Sequence, residues 1–256
     1  KGPVDVNIVG EITTDKEAQA ERVKDFMNYQ ITNVMKEYDP EMDQLLFHLP
    51  LAGSAFKKVY YDASLGRAVS KFIPSEDLVV PYNASDIMTA ERIAHVLKMS
   101  ENDLRKKQVS GFYRDIDLSP GQSDEDPVQD KMDKHEGVQK SEDDYEFNLI
   151  EFQAGCDIEG FEDRDINGEP TGIKLPYIIT IDENSREVLS IYRNYKPNDP
   201  KKEKVSFFVH FKFLPGLGFY GFGLIHMLGG LSRTATSALR QLIDAGTLSN
   251  LPAGFK

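Results

Sequence analysis

The sequence predicts an α+β fold, and three observations carry that prediction. Residues 14–38 repeat apolar side chains at helical spacing. Residues 146–213 are rich in Ile, Val, Tyr and Phe and are punctuated by turn residues. From Gly223 a second helical periodicity begins and runs to about residue 248. A chain of 256 residues is long enough to bury a core, and 40% apolar with 28% charged residues excludes a wholly disordered or fibrous chain.

The first helix places Val23, Phe26, Met27, Ile31, Val34 and Met35 on one stripe, with Thr14 positioned to cap it and Glu17 three residues on. A short helix follows in PEMDQLLF. A Pro-Leu-Ala-Gly break then leads into a strand at Phe56–Tyr61 and further short strands up to about residue 84. Ser85 or Asp86 is read as opening another helix, with Ile93, Val96, Leu97 and Leu104 as its apolar face. Beyond residue 145 the pattern turns to β. LPYIITID and REVLSIYRNY flank a polar Glu183-Asn184-Ser185 turn and predict a hairpin, and VSFFVHFKFLP predicts one more strand. The last helix spaces Leu224, Leu228, Leu231, Ala235, Ala238 and Leu242 by 4, 3, 4, 3 and 4 residues. At 1.5 Å per residue it would span about 39 Å. Its other positions are unusually small: Gly229, Gly230, Ser232, Thr234, Thr236 and Ser237.

Charge is unevenly spread. The net charge is −12, yet Asp115–Glu169 holds 19 acids against 4 bases, leaving 23 acids against 26 bases elsewhere. The middle of that segment has almost no apolar content and is read as an exposed acidic loop, residues 115–145. A chain this acidic is not built to grip nucleic acid over its whole surface, because such grip comes from Lys and Arg displacing counterions; letting a duplex slide past is compatible with it. The single cysteine, Cys156, excludes an intramolecular disulfide framework and a four-cysteine zinc site. Lys1-Gly2-Pro3 at one end and Gly254-Phe255-Lys256 at the other read as the ends of an internal piece of a longer protein.

Several motifs point to chemistry and are weighed against plainer readings. Gly216–Gly221 matches G-x-G-x-x-G after a strand and before a helix, but Asp244 falls inside the same helix, so no βαβ unit follows. The plainer reading is a glycine-rich turn that permits tight packing. Asp163, Asp165, Asn167 and Gly168 fill the first positions of a calcium loop, yet Lys174 stands where a bidentate Glu belongs, and an Asn167-Gly168 turn is the simpler reading. Phe213–Ser232 is free of Lys, Arg, Asp and Glu, but its glycines and the strand-to-helix break argue against a bilayer span. His210, in an apolar strand, reads as a packed residue. No motif requires a catalytic residue, a cofactor or a metal.

The run FKFLPGLGFYGFGLIHMLGGLSRTATSALRQLIDAGTLSNLPAGFK resembles the portal proteins of tailed bacteriophages, notably the short-tailed type. MNYQITNVM (Met27–Met35), LLFHLPLAGSAFKKVYYD (Leu45–Asp62) and EGFEDRDINGEPTGIKLPYIITID (Glu159–Asp182) carry the same resemblance. It implies a non-enzymatic head-tail connector: a ring, a dodecamer in that family, at one capsid vertex of the virion, assembled in the host cytoplasm. Such a ring packages and ejects double-stranded DNA, docks the terminase motor and the tail adaptor, and sits in the major capsid protein shell, with no membrane involved. On this basis residues 1–85 are wing, 86–114 a helix of wing or first stem, 115–145 the acidic loop, 146–213 a β-rich clip-like region, and 214–256 the glycine-rich turn and second stem helix. Arg233 and Arg240, seven apart on one helix face, are the candidates to meet DNA; the competing reading is a salt bridge to a neighbour, with Asp244 at hand. Leu224, Leu228, Gly229, Gly230, Leu231, Ala235, Ala238 and Leu242 are the candidates for packing between copies. The alternative function is a nucleotide-binding enzyme using Gly216–Gly221, and a calcium-dependent adhesion or scaffold module is the third.

Overall fold

The computed structural model describes residues 2–119, 131, 134–135, 137, 146–165 and 167–250. The acidic loop expected over 115–145 therefore lies largely outside the described residues. Helices and antiparallel sheets are both present, as an α+β fold requires. The chain forms two compact units, one from Lys1–Ser75 with Phe208–Lys256 and the other from Glu76–Phe207.

The first unit begins with α1 (Thr14–Tyr29), which a π-helical turn (Gln30–Val34) extends. Its cap is Thr13, one residue earlier than expected; the Thr13 side chain accepts the Lys16 N–H. No residue of α1 is buried. Asn28 holds an extended N-terminal segment along it, accepting the Val4 N–H (2.9 Å) and donating to the Val4 carbonyl (3.0 Å). Helix α2 (Tyr38–Ala52) ends at Gly53, whose left-handed φ of 87° reverses the chain into β1 (Ser54–Asp62). β1 pairs antiparallel with β2 (Arg67–Ile73) on one side and, from far along the chain, with the strand Phe208–Lys212 on the other. Helix α2 covers one face of this sheet, where Glu41 accepts the Phe72 N–H and His48 meets the Phe72 ring at 5.1 Å. Leu45, Ala55, Phe56, Val69 and Ile73 form the buried core.

The second unit is a five-stranded antiparallel sheet in the order β3 (Leu78–Val79), β4 (Arg92–Ser100), β5 (Glu146–Cys156), β6 (Leu175–Asp182) and β7 (Val188–Arg193). The hairpin over Glu183-Asn184-Ser185 joins β6 to β7 as expected, with a register shift at Thr180/Ile181. The helix expected from Ser85 or Asp86 is corrected. Residues 92–100 are a strand paired along its full length with β5, and the helix there is the short α3 (Glu101–Val109), capped by Ser100. The physical reason is period: Ile93 and His95 are buried in alternation, and Val96 belongs to the opposite face from both. The residues expected as a first-stem helix thus share one sheet with the residues expected as clip. Leu104 of α3 packs with Tyr113, Phe147, Leu149 and Leu189. The strand Phe208–Lys212 is β8, and the last helix, α4, runs Leu224–Asn250.

One core position of the first unit is unfavourable. Lys57, in the middle of β1, is 4% exposed; its ammonium lies 4.4 Å from the centre of the Tyr38 ring and has no hydrogen-bond partner among the described residues. Burial lowers its pKa, with Glu41 pulling the other way. The unfolded amine then holds its proton more tightly than the folded one. Stability therefore rises with pH across the interval between the folded and the unfolded pKa, and below that interval the cost is complete. Lys57→Met is expected to stabilise the protein by about 1–3 kcal/mol at neutral pH and to flatten the rise in melting temperature between neutral and alkaline pH. Thermal melts of both proteins across that range check it.

Candidate functional site

The site is α4 and the turn that anchors it. After β8, the Phe213 N–H donates to the Gly53 carbonyl (3.0 Å) and the Phe222 N–H donates to the Leu214 carbonyl (2.8 Å), closing residues 214–222 into a loop. There two chain segments cross almost backbone to backbone. A Cβ on Gly221 would stand 2.5 Å from the Gly53 carbonyl oxygen, and one on Gly223 would stand 2.3 Å from that of Leu51. Only glycine fits at either position. Ser54 fastens the crossing: its Oγ accepts the Gly221 N–H at 2.8 Å and lies 3.2 Å from His210 Nε2. His210 stacks on Phe56 (4.4 Å) and on the buried Phe219 (4.7 Å), so it is a packed residue, as its strand context implies.

This geometry makes the G-x-G-x-x-G match a packing device. The Gly221 N–H is held by Ser54, that of Phe222 by Leu214, and that of Gly223 by His226 Nδ1 at 3.1 Å. The N–H groups where the loop runs into α4 are thus committed within the chain. The calcium-like loop resolves similarly. Gly168 has φ 82°, and the Asp163 carboxylate is taken by Lys202 and by Thr171 Oγ1 (2.7 Å), contacts that lower its pKa. Among the described residues no group of three or more His, Cys, Asp or Glu is placed to hold a metal ion. Among them also, no helix is long and apolar enough to cross a membrane.

From this anchor α4 projects with residues 224–249 all exposed. At 100° per residue, Leu224, Leu228, Leu231, Ala235, Ala238 and Leu242 share one face, widened by Met227, Leu239, Ile225 and Ile243 into an arc of about 160°. Eight large side chains on this arc, from Leu224 to Ile243, are each between 38% and 69% exposed. Together they present on the order of 800 Å² of apolar surface, comparable with about 800 Å² per partner in a stable interface. Arg233 and Arg240 stand on the opposite side, as their spacing implies. With Gly229, Ser232, Thr236 and Ser237 they line one shallow trough. The two guanidinium stems are about 10.5 Å apart along the axis. Among the described residues neither arginine pairs with a carboxylate, Asp244 included. The threonines add little polarity, because Thr234, Thr236 and Thr247 donate their hydroxyls to carbonyls four residues back.

The helix, its apolar stripe and the shared face of the two arginines are all readable from spacing. Spacing does not reveal Gly53 and Ser54 as parts of the site. They lie some 170 residues from the turn they hold, and the Pro-Leu-Ala-Gly break that marks them signals only a chain reversal. Compared with known families and with curated proteins, the chain matches no family model and no curated sequence.

Glycine substitutions separate anchor from shaft. Gly221→Ala or Gly223→Ala is expected to destabilise the protein by more than about 2 kcal/mol, because backbone must move. Gly230→Ala meets nothing within 4 Å and is expected to stabilise the isolated helix by up to about 1 kcal/mol. Denaturant melts of the three variants check the contrast.

Proposed function

We propose that this chain is a subunit of a viral portal ring, a conduit for double-stranded DNA at one capsid vertex. The observation that carries the reading is α4: a long helix with an exposed surface all round, a broad apolar arc on one side and an arginine strip on the other. The arc belongs against neighbouring copies. Contacts between unlike surfaces of identical subunits propagate head to tail and close into a ring when the rotation allows. The strip then faces the lumen. The resemblance to portal proteins supports the same reading, and twelve subunits, the terminase, the tail adaptor and the major capsid protein follow from that resemblance.

Charge fits a conduit. The negative charge lies mainly in Asp115–Glu169, and α4 itself carries two arginines against one acid, Asp244, so a duplex beside it would meet no deep electrostatic trap, only shallow, sequence-independent contacts. No catalytic step is part of this function.

The test is assembly. Sedimentation and native mass measurement are expected to find one closed assembly of many copies. Leu231→Glu with Leu242→Glu is expected to dissolve it into monomers that keep their strand signal in circular dichroism. Arg233→Glu with Arg240→Glu is expected to leave its mass unchanged while abolishing weak, salt-sensitive binding of a short duplex. A parent protein that stays monomeric at tens of micromolar, about the range where a standard interface is saturated, overturns the proposal.

A further inference from the structure

The second unit carries an apolar surface of its own, separate from α4. In its sheet, cross-strand partners stack into transverse rows. One row is Val79, Ala94, Phe152, Ile179 and Ile191, and the next is Val96, Ile150, Ile181 and Val188. All nine residues lie on the same face; Val79 and Ile191 are exposed and the other seven are half-buried. The other face holds Ile93, His95, Phe147, Leu149, Gln153 and Thr180, all buried.

An antiparallel sheet with one face in water alternates apolar with polar residues. Here β6 reads Tyr-Ile-Ile-Thr-Ile over residues 177–181, the pattern of a strand covered on both sides. The outer face is therefore built for an occupant. Four strands about 4.8 Å apart by two rows, with Val79 extending the first, make a footprint of about 19 by 14 Å, which seats one helix of about three to four turns. Charge specifies that helix further. Arg92 and Arg193, both exposed, occupy the two outer positions of the next row, whose inner positions are Ala154 and Tyr177; Tyr177 is buried and its hydroxyl donates to the Phe161 carbonyl (3.0 Å), so the open surface ends there. Arg193 lies over the Phe161 ring at 5.8 Å, and neither arginine pairs with a carboxylate among the described residues. The far margin carries Lys98 and Glu146, whose charges cancel.

We infer that the outer face of the five-stranded sheet is a docking site for an amphipathic helix of a partner protein, one with acidic residues flanking its apolar stripe. The apolar rows take the stripe, and Arg92 and Arg193 take the acids, an arrangement common at interface centres where arginine and large apolar groups concentrate.

Fluorescence anisotropy with the full chain and three labelled 18-residue peptides tests this. One peptide has leucines at helical spacing with glutamate margins, one has the same stripe with lysine margins, and one has glutamate margins with the stripe broken by serine. The glutamate-margin peptide is expected to bind at least about tenfold tighter than the other two. Ile191→Glu, at an exposed edge position, is expected to weaken it about tenfold without changing the fold, and Arg92→Glu with Arg193→Glu to reverse the preference toward lysine margins. Binding of the broken-stripe peptide as tight as the intact one, no binding of any peptide, or variants that bind like the parent overturns the inference. A change in assembly mass with Ile191→Glu overturns it too, assigning the face to a second copy. The ring proposal stands or falls separately, on the parent assembly.

Discussion

The crossing of Gly53 with Gly221 and Gly223 is the constraint on which the first unit depends. It brings the end of α2 and the start of α4 to backbone contact, and it does so where β1 begins and just beyond the end of β8. A side chain at any of these glycines would push the elements apart. The Ser54 hydroxyl converts the approach into a fixed geometry by accepting the Gly221 N–H in a site closed to water. A buried donor left without that acceptor would cost about 1–3 kcal/mol. The direction in which α4 leaves the sheet is thus set by backbone, not by side chains that could repack. In the proposed ring such an anchor would matter, because a small error at the root is multiplied along a helix of about 40 Å.

The surfaces left uncovered follow one logic. Helix α1 has no fully buried residue, α4 exposes a broad apolar arc, and the outer rows of the sheet leave Val79 and Ile191 exposed. Large exposed apolar patches mark sites of association. Lys57 adds to the tension: it places an ammonium under Tyr38 where an apolar residue would pack better. In a chain of this kind, any partner that binds the folded form stabilises it by mass action.

Local signals are legible in the sequence and distant ones are not. Two β-rich runs around a polar turn mark the β6–β7 hairpin, and an unbroken 4-3-4-3-4 spacing marks α4. Strand β4 reads as a helix because Ile93, Val96 and Leu97 also fit helical spacing. What decides for a strand is its partner β5, which begins 54 residues after β4 starts, beyond the acidic segment. The glycine motif reads as a turn for close packing, but not as half of a crossing, since its other half is at Gly53. The outer face does carry a local signal: the run Tyr177–Ile181 breaks the alternation that a water-facing strand shows.

The proposed conduit would give the placement of charge on α4 a purpose. Phosphates of a duplex in a lumen lie within about one Debye length, 8 Å at physiological salt, of the wall only at their nearest approach. In the proposed ring, two arginines per copy would offer many equivalent positions of which a moving duplex would use few at a time. A phosphate leaving the arginines of one subunit would be replaced by another arriving at the next, so translocation would run over a nearly flat surface. Placing more cations on α4 would deepen each well, and removing both would leave a single acid, Asp244, per copy. An α4 whose trough is lined by two arginines with Gly229, Ser232, Thr236 and Ser237 lies between those limits.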